Sequence, residues 1–383
     1  MQPREPRTTI LYMENLSMAR RSLPPSERNH PVERQINTPK QEQKRILIPS
    51  GSIMLNLACS NTHRGAYELG RMVNLIGDSG TGKTYLALEM MAQCAERRAF
   101  KNHRLIYDDP EHALSMDIPG LFGRKLADRL IAPNDEPVLD GGQASYTMEE
   151  FEYNFMRALK EGPCIYVLDS FDALTCEQDL EKVAERHEAY EKGKEVAGSY
   201  NMAKAKLASQ VLRNVVSLID NSDSFLFIIS QTRDNITPGS FEKRTRSGGK
   251  ALKFYASHEI WLACTGKLKQ AVNKKQRVIG QQLRAKVSKN KLTGAFREVD
   301  FDFRHGYGCD DIASALEFLL QENAISGSSK NLTWGRCSGT FSKVVSMIED
   351  DGLEAQLFND VQETWLDVEE RLKPKRKPKY ASE

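Results

Sequence analysis

The chain lacks a dominant charge: 54 basic and 52 acidic side chains leave a formal net charge of +2 over 383 residues. Whole-chain electrostatics therefore do not mark a nucleic-acid binder, and any such role has to come from local clusters. No apolar run approaches the ~18 residues that a membrane-spanning helix needs. The first residues include Arg4, Glu5 and Arg7 and no apolar core segment. The expectation is a chain without a secretory signal or membrane partner, located in the cytoplasm. No two of the seven cysteines, scattered from Cys59 to Cys337, form a C-x-x-C pair. That excludes the common zinc and thioredoxin-like motifs and leaves free thiols in a reducing compartment. No internal repeat is evident.

What is present is ordinary for a globular protein: 28% charged and 40% hydrophobic residues. The length suffices for one large α/β core with one or two small additions. Residues 1–45 hold six prolines and little periodicity, and read as an extended, partly disordered arm. Its patch Thr9–Met13 is a candidate for docking on a neighbouring subunit. From residue 46 short apolar runs alternate with helical stretches. Strands are predicted at 72–76, 104–108, 164–168 and 225–229, with a helix after the first of them. Apolar strands separated by helices indicate a parallel sheet covered on both faces. The segments 259–264, 282–287 and 298–303 are closely spaced, and the last alternates strictly, which predicts antiparallel strands extending one edge. The fold class is thus α/β, a mostly parallel sheet with antiparallel edge strands and helices on both faces. The division is an arm at 1–45, a core at 46–310, a small mainly helical region at 311–370 and a basic tail at 371–383.

The first motif with chemistry in it is Gly77-Asp78-Ser79-Gly80-Thr81-Gly82-Lys83-Thr84, between a strand and a helix. This is a P-loop: its glycines let backbone amides turn toward phosphate oxygens, and the helix N-terminus adds to the field. Lys83 supplies a cation for the β- and γ-phosphates of ATP, and Thr84 a hydroxyl for Mg²⁺. Asp169 ends strand 164–168 at the edge where ligands of open α/β sheets lie, and can hold the Mg²⁺ shell. The alternative role for Asp169 or Ser170 is a helix N-cap. Glu111 follows the strand 104–108 and is the candidate for polarising an attacking water, with Asp108 and Asp109 as competitors. Gln231 follows strand 225–229 and can sense the γ-phosphate. Beyond it, residues 232–250 carry Arg233, Lys243, Arg244, Arg246 and Lys250 against Asp234 and Glu242, with Ile236, Phe241 and the pair Gly248-Gly249. Cations beside apolar groups suit single-stranded nucleic acid, although a solvated loop has the same composition.

Taken in order, these pieces resemble the RecA recombinase family, including its phage members. The resemblance is carried by Ile48-Pro49-Ser50-Gly51-Ser52, the P-loop, Glu111-His112-Ala113-Leu114, and Leu168-Asp169-Ser170-Phe171-Asp172-Ala173-Leu174-Thr175. It continues through Gly248-Gly249-Lys250-Ala251-Leu252-Lys253-Phe254-Tyr255-Ala256-Ser257 and Lys286-Val287-Ser288-Lys289-Asn290-Lys291. It spans about residues 46–325. It implies a DNA-dependent ATPase that forms ATP-bound filaments on single-stranded DNA, pairs with duplex DNA and exchanges strands. By the same resemblance, Glu111 would be the catalytic base and Gln231 the γ-phosphate sensor. Lys289 and Lys291 would reach the ATP of an adjacent subunit, at an interface containing Phe254. Loop 232–250 would be the second DNA-binding loop, with Ile236 between bases, and Lys206 and Arg213 would flank the first. Single-strand-binding or loader proteins would be further partners.

The chain departs from the family pattern in four places. Residues 177–200, where the first DNA loop is expected, are longer and more charged. Ser115 and Ile118 stand where an acidic and an aromatic residue would hold adenine. Glu259 replaces a basic residue, and the tail is basic where the bacterial proteins end in acid. That tail suggests altered control of duplex binding, and with the arm it suits a phage or plasmid source. The competing readings are a ring helicase or signalling ATPase on the same fold, and a mediator that binds ATP but barely hydrolyses it.

Overall fold

The computed structural model describes residues 46–191, 202–219, 222–234, 244–246, 249–376 and 380; at 187–190, 202–203, 233–234, 244–246 and 249–250 it describes the backbone alone. The expected arm, the loop residues Ile236, Phe241, Lys243 and Gly248, and tail residues Lys377 and Lys379 lie outside the described residues.

The described chain begins with an antiparallel pair, β1 (Leu47–Ile48) and β2 (Tyr67–Glu68), around helix α1 (Ile53–Ser60). Strand β3 (Met72–Gly77) leads through the P-loop into α2 (Lys83–Glu96), and β4 (Arg104–Asp108) follows. Short helices α3 (Ile118–Phe122) and α4 (Arg124–Ala127) precede β5 (Leu130–Ile131), α5 (Met148–Glu161) and β6 (Cys164–Leu168). Then come α6 (Glu177–Glu191), α7 (Met202–Ile219), β7 (Phe225–Asp234), β8 (Arg244–Arg246) and α8 (Gly249–Tyr255). Strands β9 (His258–Val272), β10 (Lys275–Asn290), β11 (Arg297–Arg304) and β12 (Gly308–Cys309) complete the large sheet. The last part comprises α9 (Asp311–Gln321), a small sheet of β13 (Gly327–Ser328), β14 (Asn331–Trp334) and β15 (Cys337–Gly339), and helices α10 (Phe341–Asp350) and α11 (Glu354–Leu372).

The large sheet runs in the order β12-β11-β10-β9-β3-β7-β6-β4-β5, with β8 on β7. From β9 to β5 the neighbours are parallel; from β9 to β12 they are antiparallel. All six residues of β3 and all five of β6 are buried, as parallel strands covered on both faces require. One apolar layer packs α1 and α2 on the sheet, and the other packs α5, α7 and α8. Helix α5 starts where Thr147 and Glu150 close a reciprocal capping box.

Two expectations need correction. Residues 177–191 form a helix, not the first half of a loop. Glu177 and Asp179 in its first turn favour that end of the helix dipole, and Lys182 pairs with Asp179 one turn on. Gln231 lies inside a strand, because β7 runs on to Asp234 where β8 pairs with it.

The region after residue 310 shares the apolar layer of α1 and α2: Leu332, Trp334, Val344, Leu357 and Trp365 are in the same buried cluster as Leu55 and Leu86. Arg297 fixes α11 there. Its guanidinium donates to both carboxylate oxygens of Glu369 and to Ala58 O, and lies over the Trp365 ring.

Candidate functional site

The P-loop sits at the carboxyl end of β3, in the centre of the sheet. Gly77 packs so tightly that a Cβ would meet Leu262 O and Thr81 Oγ1 at 2.7 Å. Gly80 and Gly82 adopt φ of 76° and 79°, a left-handed backbone that side chains resist. A Cβ built on Gly80 would meet nothing within 4 Å outside its chain neighbours, so the space beside this turn is open. That is a cradle a phosphate can fill. Lys83 starts α2 and is buried; its Nζ donates to Gly77 O at 2.9 Å and Asp78 O at 2.8 Å. Burial pushes its pKa down, while Asp169, Glu111, Asp78 and Asp172 pull it back up.

Thr84 Oγ1 donates to Asp169 Oδ2 at 2.6 Å, and Tyr107 OH donates to the same oxygen at 2.8 Å. Burial raises the Asp169 pKa, against the lowering by these two hydrogen bonds. A hydroxyl and a carboxylate so paired beside a phosphate cradle fit the outer shell of Mg²⁺. The N-cap alternative fails at Asp169 and Ser170: the next helix, α6, begins only at Glu177.

The three acidic candidates after β4 separate cleanly. Asp108 is fully buried and accepts from Tyr166 OH, Ser145 N and Ser145 Oγ at 2.6 to 2.7 Å. Asp109 accepts from Leu114 N at 2.9 Å and so shapes the turn. Glu111 alone of the three is exposed, and its Oε1 accepts from Ser170 Oγ at 2.5 Å and Gln231 Nε2 at 3.0 Å. A residue just past β6 and one inside β7 thus hold one carboxylate beside the P-loop. Gln231 N donates to Asp172 Oδ2 at 2.6 Å, and Thr232 Oγ1 donates to Asp78 Oδ1 of the P-loop. The segment that opens loop 232–250 is therefore tied to the phosphate cradle through consecutive residues.

Lys289 and Lys291 lie elsewhere. Lys289 pairs in register with Glu259, which is level with Asn74 near the start of β3. Its Nζ donates to Lys253 O and Phe254 O at the end of α8. Lys291 N donates to Ser257 O, beyond the amino end of β9. The amino edge of β3 is about 16 Å along the strand from Gly77, so neither lysine is brought to its own P-loop. Phe254 is 72% exposed on that edge. Arg213, exposed on α7, donates to Tyr255 OH beside it at 3.4 Å, and Lys206 is exposed on the same helix.

The family model for the RecA N-terminal domain matches residues 34–310. The chain belongs to the RecA family. Among its relatives is Protein RecA 2 of Myxococcus xanthus, 30% identical over 281 residues, which are 73% of this chain and 69% of the relative. Protein RecA of Geobacter sulfurreducens is 30% identical over 288 residues, 75% of each chain. Protein RecA of Xylella fastidiosa strain M12 is 31% identical over 291 residues, 75% of this chain and 74% of the relative. These are bacterial proteins and lend no support to a phage or plasmid source.

Within this RecA-family core, sequence reasoning missed Tyr107, Ser145, Asp172 and Thr232. Tyr107 stands next to Asp108 in an apolar strand and reads there as core. Only the sheet order, which sets β4 beside β6, reveals its bond to Asp169. Of the two adenine positions, Ser115 is exposed and Ile118 is fully buried at the start of α3, so Ile118 offers no face to a base. Glu259 is buried and accepts from Ser288 Oγ at 2.8 Å and Trp261 Nε1 at 3.2 Å. Among the described residues no helix is long and apolar enough to cross a membrane.

Proposed function

We propose that this RecA-family chain is a DNA-dependent ATPase. It assembles into ATP-bound filaments on single-stranded DNA and exchanges that strand into homologous duplex. The observation that carries this reading is the separation of the site into two halves. The cradle, Glu111 and Gln231 lie at the carboxyl edge of the sheet, while Lys289, Lys291 and exposed Phe254 lie at the amino edge. Head-to-tail stacking would bring one subunit's amino edge onto the next subunit's cradle, and a heterologous contact of that kind propagates as a filament.

Backbone amides of Gly77 to Gly82, with Ser79 at the tip, and Lys83 would hold the triphosphate. Thr84 and Asp169 would hold the shell of Mg²⁺, which when bound neutralises charge on the β- and γ-phosphates. Glu111 would accept the proton of the attacking water, kept in place by Ser170 and Gln231. Lys289 and Lys291 of the neighbour would stabilise charge as arginine fingers do. Loss of the γ-phosphate would be read by Gln231 and passed through Thr232 into loop 232–250. That loop and the face of α7 bearing Lys206 and Arg213 would hold the strand. The loop's DNA contacts would come from Arg233, Ile236, Phe241, Lys243, Arg244, Arg246, Gly248, Gly249 and Lys250.

The test is ATP turnover with and without single-stranded DNA, for wild type and Lys83→Ala, beside a strand-exchange assay. The expected result is stimulation above about tenfold, lost in the variant. Turnover indifferent to DNA would sink the reading.

A further inference from the structure

Two neighbouring strands hold each other's terminal carboxylates through tyrosines. β4 and β6 run parallel, with Tyr107 level with Val167 and Asp108 level with Leu168. Alternate residues of a strand face opposite sides of the sheet. Leu105, Tyr107, Ile165 and Val167 therefore join the apolar layer of α1 and α2, while Ile106, Tyr166 and Leu168 join the layer of α5, α7 and α8. Asp169 prolongs β6, its N donating to Asp108 O at 2.8 Å. It falls on the Tyr107 side, two residues along from Val167. There Tyr107 OH donates to Asp169 Oδ2 at 2.8 Å. On the opposite side Tyr166 OH donates to Asp108 Oδ2 at 2.6 Å.

The two bonds are alike in chemistry and differ in what lies beyond them. Asp108 also accepts from Ser145 N and Ser145 Oγ, and Asn154 Nδ2 donates to Ser145 Oγ at 3.0 Å. That network closes within the core. Asp169 Oδ2 instead shares its second bond with Thr84 Oγ1, at 2.6 Å, at the start of the P-loop helix. Among the described residues no hydrogen bond reaches Asp169 Oδ1. Thr84 alone would leave the carboxylate able to turn about a single contact. A second donor on the same oxygen, from a different wall of the site, fixes the carboxylate plane and leaves Oδ1 for the water shell of a cation. Packing does not call for a phenol at this position. Tyr107 is 2% exposed, in the same cluster as Leu75, Leu105 and Val167, where a phenylalanine ring would fill the same space. A buried hydroxyl costs free energy unless it is bonded, and this one is bonded to the carboxylate beside the cradle.

We propose that Tyr107 is a positioning residue for Mg²⁺, holding the Asp169 carboxylate in the orientation that receives the metal's shell when ATP occupies the cradle. It acts through Asp169, as outer partners of metal-binding carboxylates do. Loss of such a partner commonly costs about 10- to 100-fold in metal affinity or activity. The inference rests on the reading that the cradle takes ATP with Mg²⁺.

The experiment compares the full chain with Tyr107→Phe and Tyr166→Phe. Each substitution removes one buried phenolic hydroxyl that donates to a buried carboxylate, but only the first faces the cradle. Affinity for a fluorescent ATP analogue is measured without DNA, once in EDTA and once in saturating Mg²⁺. The readout is the factor by which Mg²⁺ tightens binding. In Tyr107→Phe that factor is expected to fall about tenfold, with affinity in EDTA within about twofold of wild type. In Tyr166→Phe the factor stays at the wild-type value, whatever the change in urea midpoint, which separates positioning from the loss of a buried hydrogen bond. Turnover of Tyr107→Phe drops at limiting Mg²⁺ and returns toward wild type as Mg²⁺ is raised. An unchanged factor in Tyr107→Phe, an equal loss of affinity in EDTA and in Mg²⁺, or an equal fall in Tyr166→Phe overturns the proposal and leaves the ATP reading intact. A wild type that binds the analogue no better with Mg²⁺ overturns both. DNA takes no part in the binding measurement, so turnover indifferent to DNA would sink the recombinase reading and leave the role of Tyr107 standing.

Discussion

Three acidic side chains within four residues do three different jobs. Asp108, buried under three hydrogen bonds, organises Tyr166 and the turn at Ser145. Asp109 closes a backbone turn, and Glu111 is presented to solvent by Ser170 and Gln231. The two substitutions that matter therefore separate in opposite ways. Glu111→Gln is expected to lower turnover by about 10²-fold or more while ATP binding and unfolding midpoint hold. Asp108→Ala is expected to destabilise the fold by roughly 2–3 kcal/mol, because it strands buried donors. Turnover and urea unfolding on both variants check this; a catalytic loss at Asp108 without destabilisation would reverse the assignment. The sequence made the choice among these acids only a ranking. Which strand lies beside β4, and so which hydroxyls reach Asp108, is a long-range fact that local pattern does not carry.

At the scale of elements, the parallel strands were legible because each is a short apolar run bounded by turns, and the structure has them at 72–77, 104–108 and 164–168. Their order was not legible, since periodicity says which face is buried and nothing of which neighbour is paired. Two boundaries also escaped. The polar end of β7, Gln231 to Asp234, has no apolar alternation and reads as loop, yet pairing with β8 makes it strand. The charged stretch 177–191 has the composition of a solvated loop and forms a helix. The extension of β7 carries a structural tie whose effect on turnover can be measured. Thr232 ties the start of loop 232–250 to Asp78 of the P-loop. Thr232→Val keeps the shape of the side chain and removes the donor. The expected outcome is basal turnover within about twofold, with stimulation by single-stranded DNA reduced several-fold. Full retention of stimulation would mean that the tie transmits nothing.

At the scale of the whole molecule, a carboxylate cluster lies where the P-loop helix, the last strand of the large sheet and the start of the C-terminal part meet. Glu89 of α2 accepts from Cys309 N at 3.2 Å, and Asp311 accepts from Ile53 N at 2.9 Å. Burial, then the nearby Asp311, pushes Glu89 up to about 8. Burial, then Asp310, pushes Asp311 up to about 7. Both groups keep a proton in the folded state that the unfolded chain releases near its ordinary carboxylate range. Stability from this source is full below that range and is lost as pH rises toward about 8. Glu89→Gln, a neutral side chain of the same shape, should reduce the loss between about pH 5.5 and 8.5 by roughly 1–2 kcal/mol in urea unfolding. Equal losses in variant and wild type would show that Glu89 does not carry the proton.

The same scale holds the central claim, that the hydrolytic site is divided between copies. The decisive measurement mixes two inactive variants, Lys83→Ala and the double variant Lys289→Ala with Lys291→Ala, on single-stranded DNA and follows ATP turnover. Each variant alone breaks every site. In an equal mixture, about a quarter of head-to-tail interfaces join an intact cradle to intact lysines. Recovery toward about a quarter of wild-type turnover is the predicted result. No recovery above the separate variants, with filaments of mixed composition confirmed, would contradict a shared site.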